Sequence, residues 1–360
     1  MQIPINPRER VINSIKRLPN DRMPCDFRAE EATLQRLYAH IGHNDYNRLI
    51  TSLGVDIRYV DAVPPPERDC GAFVQNYWGE RYVYRQSQWG RVRDDMPGVL
   101  AEAQTMKELQ DFEWPTVSQM DYANVRAQCE RHDGYAILYG FGDIFTRPAC
   151  VRGFENFMLD MYERPEFTHY LIKRFEDFYA DEYARAFTES GGRIDIFLMM
   201  GDLSSQLAPL FDPAMFDEFL ASPLTRLCAR VHEMGAHMMF HSCGEAYPFI
   251  PKLIACGVDI IDPMQRTTDR MSPERLSAEF GGKVCFHGGI DVQTTLPHGT
   301  TDEVRAEVRR YADAFNDVSG YICTSAHYIQ HDTPPENILA MYDEINRYTP
   351  PVGFIQTRGE

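Results

Sequence analysis

Short apolar runs alternate with amphipathic stretches along the second half of the chain. The runs have the length and composition of buried strands and cover residues 194–200, 237–240, 258–262, 284–287 and 320–324. Between and after them, apolar residues recur at helical spacing over residues 213–232, 247–256, 273–280, 301–315 and 335–347. Continuous apolar strands separated by amphipathic helices are typical of a parallel sheet that is covered on both faces. The pattern therefore predicts an α/β fold.

The first half of the chain is less regular. Its pattern predicts a strand at 135–139 and helices at 7–20, at 30–53 (one or two helices) and at 154–188. Aromatic and β-branched residues alternate over residues 73–95, which predicts an antiparallel hairpin or small sheet inserted into the fold.

The chain shows no internal repeat and no linker between its predicted elements. We therefore expect one domain over residues 1–360, with an insertion or lid over residues 60–120. The number of strands suits a (β/α)8 barrel, or TIM barrel, with a small β insertion in the N-terminal third. A doubly wound open sheet also satisfies the pattern.

Composition narrows the class of protein. The 360 residues exceed a typical domain but fit a barrel of about 250 residues with additions. No stretch approaches the ~20 apolar residues that cross a bilayer, which argues against a membrane protein. A formal net charge of −17 repels a phosphate backbone, which argues against a nucleic-acid partner. The nine cysteines share no disulfide spacing and the N-terminus lacks a secretory apolar region, so we expect a cytoplasmic protein with reduced thiols.

Polar residues follow most of the predicted strands, at the end where α/β proteins carry out chemistry. If the strands are neighbours in one barrel, these side chains converge on a single pocket. The residues concerned are Asp202 and Gln206, His241 and Cys243, Asp262 and Gln265, His287 and Asp291, and His327 and Tyr328.

The most informative members of this set are His241 and Cys243, which stand two apart in an extended segment and so point to the same side. An imidazole and a thiolate in this arrangement suit a borderline-soft cation, above all zinc, with His327 as a third ligand. Three protein ligands with an open position are the catalytic form of a zinc site. The alternatives that stay open are Cys323 as the third ligand, and Asp262, Gln265, Glu245 or the substrate as the fourth.

Each candidate also has a purely structural interpretation. A His-x-Cys pair alone fits a half-buried histidine beside a structural cysteine. Asp202 could cap the following helix, Asp291 could close a turn, and Gln206 could be a loop amide. His287 could stack in the core, and Arg28 could bind an anionic group or form a surface salt bridge.

With these motifs in view, the chain resembles the uroporphyrinogen decarboxylase superfamily over nearly all of its length. The resemblance implies a (β/α)8 barrel, in agreement with the alternation of elements. The motifs that carry it are Asn6-Pro7-Arg8-Glu9-Arg10, Gly201-Asp202-Leu203 through Gln206, Phe240-His241-Ser242-Cys243-Gly244, Gly257-Val258-Asp259-Ile260 with Pro263-Met264-Gln265, His287-Gly288-Gly289-Ile290-Asp291, and Ser325-Ala326-His327-Tyr328-Ile329-Gln330 followed by Asp332-Thr333-Pro334-Pro335-Glu336-Asn337.

The superfamily contains decarboxylases and zinc-dependent cobamide methyltransferases, and the motifs favour the methyltransferases. Decarboxylases carry an arginine-rich stretch that holds the acidic porphyrinogen, whereas the comparable region here is Met23-Pro24-Cys25-Asp26-Phe27-Arg28-Ala29-Glu30-Glu31. Decarboxylases also lack the His-x-Cys pair that the methyltransferases have. The third ligand of the methyltransferases falls on His327, where the coenzyme M methyltransferases have a cysteine, and this departure argues against coenzyme M as the acceptor.

The resemblance therefore implies methyl transfer between a small substrate and a corrinoid (cobalamin) that a partner protein carries. The substrate could be a methyl ether, as for an O-demethylase, or a methylamine, a thiol or a folate. The resemblance also implies Zn²⁺ on His241, Cys243 and His327, and it favours a homodimer. The other expected roles are catalysis for Asp202, Asp291 and Gln206, and substrate contact for Gln265, His287 and Tyr328. Two alternatives stay open: a metal-free lyase like uroporphyrinogen decarboxylase, and a non-catalytic protein that binds a corrinoid or another small molecule.

Overall fold

Parallel strands curl around an apolar interior in the computed structural model, which describes residues 5–87, 90–266, 268–316 and 320–348. The strands are β1 (Ile57–Val60), β2 (Arg68–Asp69), β3 (Val74–Gln75), β4 (Arg81–Ser87), β5 (Gly90–Met96), β6 (Ala136–Asp143), β7 (Ile196–Met200), β8 (His237–His241), β9 (Ile260–Asp262), β10 (Cys285–His287) and β11 (Tyr321–Ile322). The helices are α1 (Pro7–Ile15), α2 (Glu31–Ile41), α3 (Tyr46–Ser52), α4 (Met106–Asp111), α5 (Val125–Arg131), α6 (Thr146–Arg152), α7 (Phe154–Glu163), α8 (Pro165–Ser190), α9 (Pro213–Phe219), α10 (Ala221–Glu233), α11 (Ile250–Ala255), α12 (Pro273–Phe280), α13 (Thr295–His298), α14 (Thr301–Ala314) and α15 (Pro335–Arg347). Within the described ranges, none of these helices combines the length and the hydrophobicity that crossing a membrane requires.

The parallel sheet closes on itself. Its seven strands lie in the order β1, β6, β7, β8, β9, β10, β11, and residues 24–29 fill the gap between β11 and β1. The Cys323 N–H donates to the Pro24 carbonyl at 2.9 Å, and the Asp56 N–H donates to the Cys25 carbonyl at 2.9 Å. With this eighth segment the sheet forms a (β/α)8 barrel. The barrel prediction is therefore confirmed, and the doubly wound open sheet is wrong.

Inward-facing side chains fill the barrel in layers. The lower layer is apolar and consists of Ile57, Ala136, Leu138, Ile196, Leu198, Met239, Ile260, Cys285 and Ile322. Helix α1 covers this layer with Val11 and Ile15. Side chains two apart along a strand face the same way, so the next inward position on β8, β9 and β10 holds His241, Asp262 and His287. These three residues form an upper, polar layer at the carboxyl ends of the strands.

A four-stranded antiparallel sheet, formed by β2, β3, β4 and β5, is inserted between β1 and β6. Trp78 anchors it: the indole is 1% exposed, and its ring centroid lies 4.3 Å from that of Phe175 and 4.6 Å from that of Phe178 on α8. Glu80 also pairs with Arg147 of α6 at 3.5 Å. The small β insertion predicted for the N-terminal third is present. The bounds 60–120 and the use of this region as a lid stay predictions.

Some predicted elements differ from the observed ones. The helix predicted at 213–232 is interrupted at Leu220, between α9 and α10. The helix predicted at 154–188 is interrupted at Arg164, since Pro165 has no N–H to continue the hydrogen-bond ladder. Helix α1 ends at Ile15, after which Arg17 adopts a left-handed φ of 57°. Strand β1 has only four residues, and its central Arg58 hides the strand signal in the sequence.

Candidate metal centre

Three side chains meet at the carboxyl end of β8. His241 ends that strand, Cys243 follows two residues later, and His327 comes from the loop after β11. One ligand atom from each lies within 4.8 Å of the others, and the Cys243 Sγ lies 3.2 Å from the His241 Nε2. Tetrahedral bonds of about 2.0–2.3 Å to zinc require ligand atoms roughly 3.3–3.8 Å apart. The donor set and its spacing therefore fit zinc with modest adjustment.

Backbone geometry at Gly244 turns the chain directly after Cys243. Gly244 has a φ of 77°, which favours glycine, and a Cβ there would lie 2.1 Å from the Ser205 carbonyl oxygen. The loop after β7 therefore packs directly on this turn. A glycine here keeps Cys243 beside His241 while the two loops stay in contact.

Asp262 orients the first ligand. Its Oδ2 lies 2.5 Å from the His241 Nδ1, and the Asp262 side chain is fully buried. Because the carboxylate accepts a hydrogen bond from Nδ1, the His241 Nε2 is the nitrogen that faces Cys243 and that would bind a metal once it gives up its proton.

The same carboxylate belongs to a larger buried cluster. Two N–H groups of Arg28 contact Asp262 at 2.6 and 3.1 Å, and the His287 Nδ1 contacts it at 2.6 Å. On its far side the His287 Nε2 lies 3.2 Å from the Asp26 Oδ2, which also accepts the Tyr59 hydroxyl at 2.5 Å. Both His287 nitrogens thus face carboxylates, and both can donate only if the ring is an imidazolium. Each of the two buried carboxylates then faces a group of opposite charge, which is how a buried charge cluster is tolerated.

Electrostatics in this cluster shift the proton affinities in consistent directions. Burial favours the neutral form of Asp262, but Arg28, His287 and His241 outweigh it and hold the pKa of Asp262 well below its usual range. Burial also lowers the pKa of His287, but Asp262 and Asp26 outweigh it, so the pKa of His287 is raised.

The two histidines of the candidate metal site shift in opposite directions. Burial disfavours a charged His241, but Asp262 and Cys243 raise its pKa to about 10. Burial, with help from His241 and Arg28, lowers the pKa of His327. His327 is therefore ready as a neutral ligand, whereas a metal on His241 has to displace a proton.

Three other predicted site residues lie beside the candidate metal ligands. The Asp202 Oδ1 accepts the Cys243 N–H at 3.1 Å and lies 3.9 Å from the His241 Nε2, and its side chain is 40% exposed. The Gln265 Oε1 accepts the Gly244 N–H at 2.9 Å. The Tyr328 ring centroid lies 5.7 Å from that of His327. Asp202 is not the cap of a following helix, because helix α9 is capped by Asp212.

Other candidates are engaged elsewhere. Asp291 accepts the Gln293 N–H at 2.7 Å and also the Thr294 hydroxyl, so its carboxylate closes a turn, as one interpretation of the sequence allowed. Gln206 lies exposed in the loop after β7. The Glu245 carboxylate is buried against Arg270 at 2.9 Å. Cys323 faces the outer core between barrel and helices, where burial raises its pKa to about 12. Of the protein candidates for the fourth position, Asp262, Gln265 and Glu245 all have other partners.

Sequence reasoning missed part of this site. Asp26 and Tyr59 were not identified, and the surface salt bridge considered for Arg28 is wrong because Arg28 is 5% exposed and bound to Asp262. The available signal was the alternation in Asp26-Phe27-Arg28, which puts two polar side chains on one face of an extended segment. The same alternation places Ile57 and Tyr59 on the inner face of β1.

The fold and the site together define an α/β barrel with a candidate metal centre at the carboxyl ends of its strands. The family model described as uroporphyrinogen decarboxylase (URO-D) matches residues 97–348. Since this match covers more than half of the chain, the protein belongs to the URO-D family.

Named relatives match over shorter stretches. Uroporphyrinogen decarboxylase of Bordetella petrii is 30% identical over 103 residues, which are 28% of this chain and 27% of that protein. The Burkholderia mallei enzyme is 27% identical over 101 residues, which are 28% of this chain and 26% of that protein. The matched stretch is thus about a quarter of the length of these relatives. Among solved structures, a methyltransferase from Methanosarcina mazei superposes with a TM-score of 0.67 at 16% identity, covering 95% of this chain and 98% of that one, which shows a shared fold.

Proposed function

We propose that this protein is a zinc-dependent methyltransferase that moves a methyl group between a small substrate and a corrinoid carried by a partner protein. The observation that carries the proposal is the meeting of His241, Cys243 and His327, with Asp262 orienting the first of them. Two nitrogens and one sulfur with an open fourth position form the donor set of a catalytic zinc site. The Methanosarcina mazei methyltransferase with the same fold supports this choice over other reactions.

The residues of the chain have distinct roles in this proposal. Zinc held by His241, Cys243 and His327 would polarise the heteroatom that carries or receives the methyl group. Asp262 fixes the His241 ring, and the other protein candidates for the fourth position are engaged, so that position is left for the substrate. Asp202 is the carboxylate beside the ligand atoms and is suited to handle a proton at the substrate heteroatom.

The methyl carbon exchanges one bond for another in either direction of transfer. The group that loses the methyl keeps the electron pair of the broken bond, and the group that gains it supplies the pair of the new bond. Gln265 accepts a hydrogen bond from Gly244, and the Tyr328 ring lies beside that of His327. Both side chains therefore lie near the open fourth position and would contact the substrate. We assign no step to Asp291, Gln206 or His287: the first closes a turn, the second lies in a loop, and the third is buried in the charge cluster.

Metal analysis joined to an activity assay tests the proposal. We expect about one zinc per chain in wild-type protein. We also expect transfer of a methyl group from anisole, trimethylamine, methyltetrahydrofolate or dimethyl sulfide to reduced cobalamin. This transfer is measured as the change in cobalamin absorbance. The double variant His241→Ala, Cys243→Ala loses both zinc and transfer. The matched control is His298→Ala, Cys70→Ala, which changes an exposed histidine and an exposed cysteine and keeps both properties.

A second candidate is metal-free decarboxylation, which membership of the URO-D family favours. Its chief difficulty is charge. Arg28 is bound to Asp262, and Asp202 stands open beside the ligands, so the site offers little to an acidic porphyrinogen. Decarboxylation of uroporphyrinogen by chelator-treated protein would establish this candidate and overturn ours. Cobalamin binding without any transfer would instead indicate a non-catalytic binding protein. The homodimer and the cytoplasmic location stay predictions.

A further inference from the structure

One side of the barrel mouth is aromatic and apolar. Tyr59 of β1 and Phe141 of β6 lie with their ring centroids 6.3 Å apart and their planes within 9° of parallel. Together with Met200 of β7 they are half-buried and pack on the apolar layer of the barrel interior. Met200 and His241 are paired residues on neighbouring strands, so their side chains lie next to each other on the same face. The apolar side therefore begins immediately beside the first candidate metal ligand.

A bulge in β6 turns Phe141 toward this mouth. Ile137 and Tyr139 face the outer core while Ala136 and Leu138 face the interior, so regular alternation would turn Phe141 outward. The register of β6 against β7 shifts between Tyr139 and Gly142, and this extra residue brings Phe141 inward.

Glycines on both sides of Phe141 make the bulge possible. Gly140 adopts a φ of 86°, and a Cβ at Gly142 would lie 2.3 Å from the Tyr183 hydroxyl. Bulges commonly aim a side chain at a functional site. The bulge and its two glycines therefore turn the Phe141 ring toward the barrel mouth, beside the candidate metal ligands.

The acid nearest the candidate ligands is open to the mouth, whereas the nearest arginine is paired. Arg28 extends toward Tyr328, with its guanidinium carbon 5.9 Å from that ring centroid, but its Nη1 and Nη2 are both held by Asp262. Asp202, 3.9 Å from the His241 Nε2, is an acid with 40% of its side chain exposed. A carboxylate or sulfonate placed against Asp202 would therefore meet repulsion from that side chain, which an uncharged ring avoids.

We propose that the substrate is an aryl methyl ether or aryl methyl thioether whose uncharged ring packs against Phe141, Tyr59 and Met200. Its methylated heteroatom then reaches the group formed by His241, Cys243 and His327. This assignment rests on the proposed function, because it takes the methyl-bearing atom to lie at that group. Contact between ring and ring is favourable beyond the apolar area that it buries, so the site discriminates a planar aromatic from a saturated ring of the same size.

Binding without turnover tests this assignment. The dissociation constants of anisole, methoxycyclohexane and tetramethylammonium are measured by ligand-observed NMR on the full chain, without any corrinoid and with zinc content determined on the same samples. We expect anisole to bind wild-type protein about 3- to 10-fold more tightly than methoxycyclohexane. Phe141→Leu keeps an apolar side chain and abolishes this preference. Phe154→Leu on α7, a phenylalanine that is 43% exposed, keeps it.

The outcomes separate the two proposals. Equal affinities for anisole and methoxycyclohexane in wild-type protein, or preference for tetramethylammonium, overturn the aryl assignment whatever the zinc content. A preference that survives in Phe141→Leu also overturns it. If wild-type protein contains no zinc and still prefers anisole, the aromatic subsite stands and only the zinc-dependent function is overturned. The wild-type comparison decides the question even if Phe141→Leu does not fold.

Discussion

The two layers inside the barrel are built by the same strands but differ in kind. Met239, Ile260 and Cys285 form part of the lower layer, whereas His241, Asp262 and His287 stand two residues further along β8, β9 and β10. The lower layer stabilises the fold by burying apolar surface. The upper layer is equally buried but consists of charges that are tolerated only because each has a partner. Two residues further along each of these strands, the barrel interior therefore changes from an apolar core that stabilises the fold to a polar layer beside the candidate metal ligands.

The largest effect is expected from leaving an unpaired charge in the upper layer. In Arg28→Met, Asp262 and Asp26 stay buried without their guanidinium partner, and we expect the free energy of unfolding in urea to fall by about 3–5 kcal/mol. The matched control is Lys252→Met, whose ammonium pairs with Asp217 at 2.5 Å in a more exposed position. That change should remove at most about 1 kcal/mol. Equal, small losses in both variants would contradict the paired-charge description of the upper layer.

A cavity in the lower layer should weaken the fold and spare the metal. Met239→Ala removes buried apolar volume beneath His241, and we expect urea unfolding to show a loss of about 2–4 kcal/mol. Zinc content of the folded variant should equal that of wild type, since no ligand or its orienting partner changes. Met96→Ala, at an exposed methionine of β5, should stay within about 0.5 kcal/mol of wild type. Loss of zinc from folded Met239→Ala would show that the layers do not act separately.

Asp262→Asn should weaken zinc binding while the three ligands stay in place. An asparagine amide can donate to the His241 Nδ1, which moves the ring proton to Nε2 and blocks the nitrogen that faces Cys243. We expect zinc affinity, measured by competition with a chromophoric chelator, to fall about 10- to 100-fold. The chain offers a close control in Asp259→Asn, because Asp259 contacts the His232 Nε2 at 2.7 Å away from the candidate ligands. A similar loss of affinity in both variants would point to a general effect on folding.

Changing pH should distinguish His287 from an exposed histidine. The folded pKa of His287 is raised, so its contribution to stability is complete below an unfolded pKa of about 6.5 and is lost as pH rises through the folded pKa. In chelator-treated protein we expect His287→Gln to be less stable than wild type by about 1–3 kcal/mol at pH 6, with a gap that narrows as pH rises. His298→Gln, at an exposed histidine of α13, should stay within about 0.5 kcal/mol of wild type at pH 6. A gap for His287→Gln that stays constant from pH 6 to 9 would mean that the ring is neutral in the folded state.

Much of the fold could be predicted because local patterns determine it. The strands near 194–200, 237–240 and 284–287 are visible in the sequence as apolar runs. The alternation of side chains along a strand then places the polar residues at their ends on the inner face. The closing segment at 24–29 could not be predicted in this way, because it pairs through isolated bridges instead of a continuous ladder. Strand β1 was hidden by Arg58, whose guanidinium is satisfied in the structure by the Val55 and Ile57 carbonyls.

The candidate site, like the fold, could be predicted only where local sequence determines it. His241 and Cys243 are separated by one residue, so their meeting follows from local geometry, and His327 follows from the order of strands around the barrel. The pairing of Arg28 with Asp262 joins positions 234 residues apart, and nothing in either local sequence indicates it. Asp26 and Tyr59 were not predicted because they lie on the closing segment at 24–29 and on β1, the two stretches that the hydrophobic pattern did not reveal. Pairs of buried charges that are distant in the sequence could therefore not be predicted from local patterns.

X-ray absorption at the zinc edge of zinc-loaded protein tests the central claim most directly. We expect one sulfur ligand at about 2.3 Å with nitrogen or oxygen ligands at about 2.0–2.1 Å. We also expect the sulfur ligand to disappear in Cys243→Ala and to persist in Cys70→Ala. Zinc surrounded only by nitrogen and oxygen in wild-type protein, or a sulfur signal that survives in Cys243→Ala, would contradict a site formed by His241, Cys243 and His327.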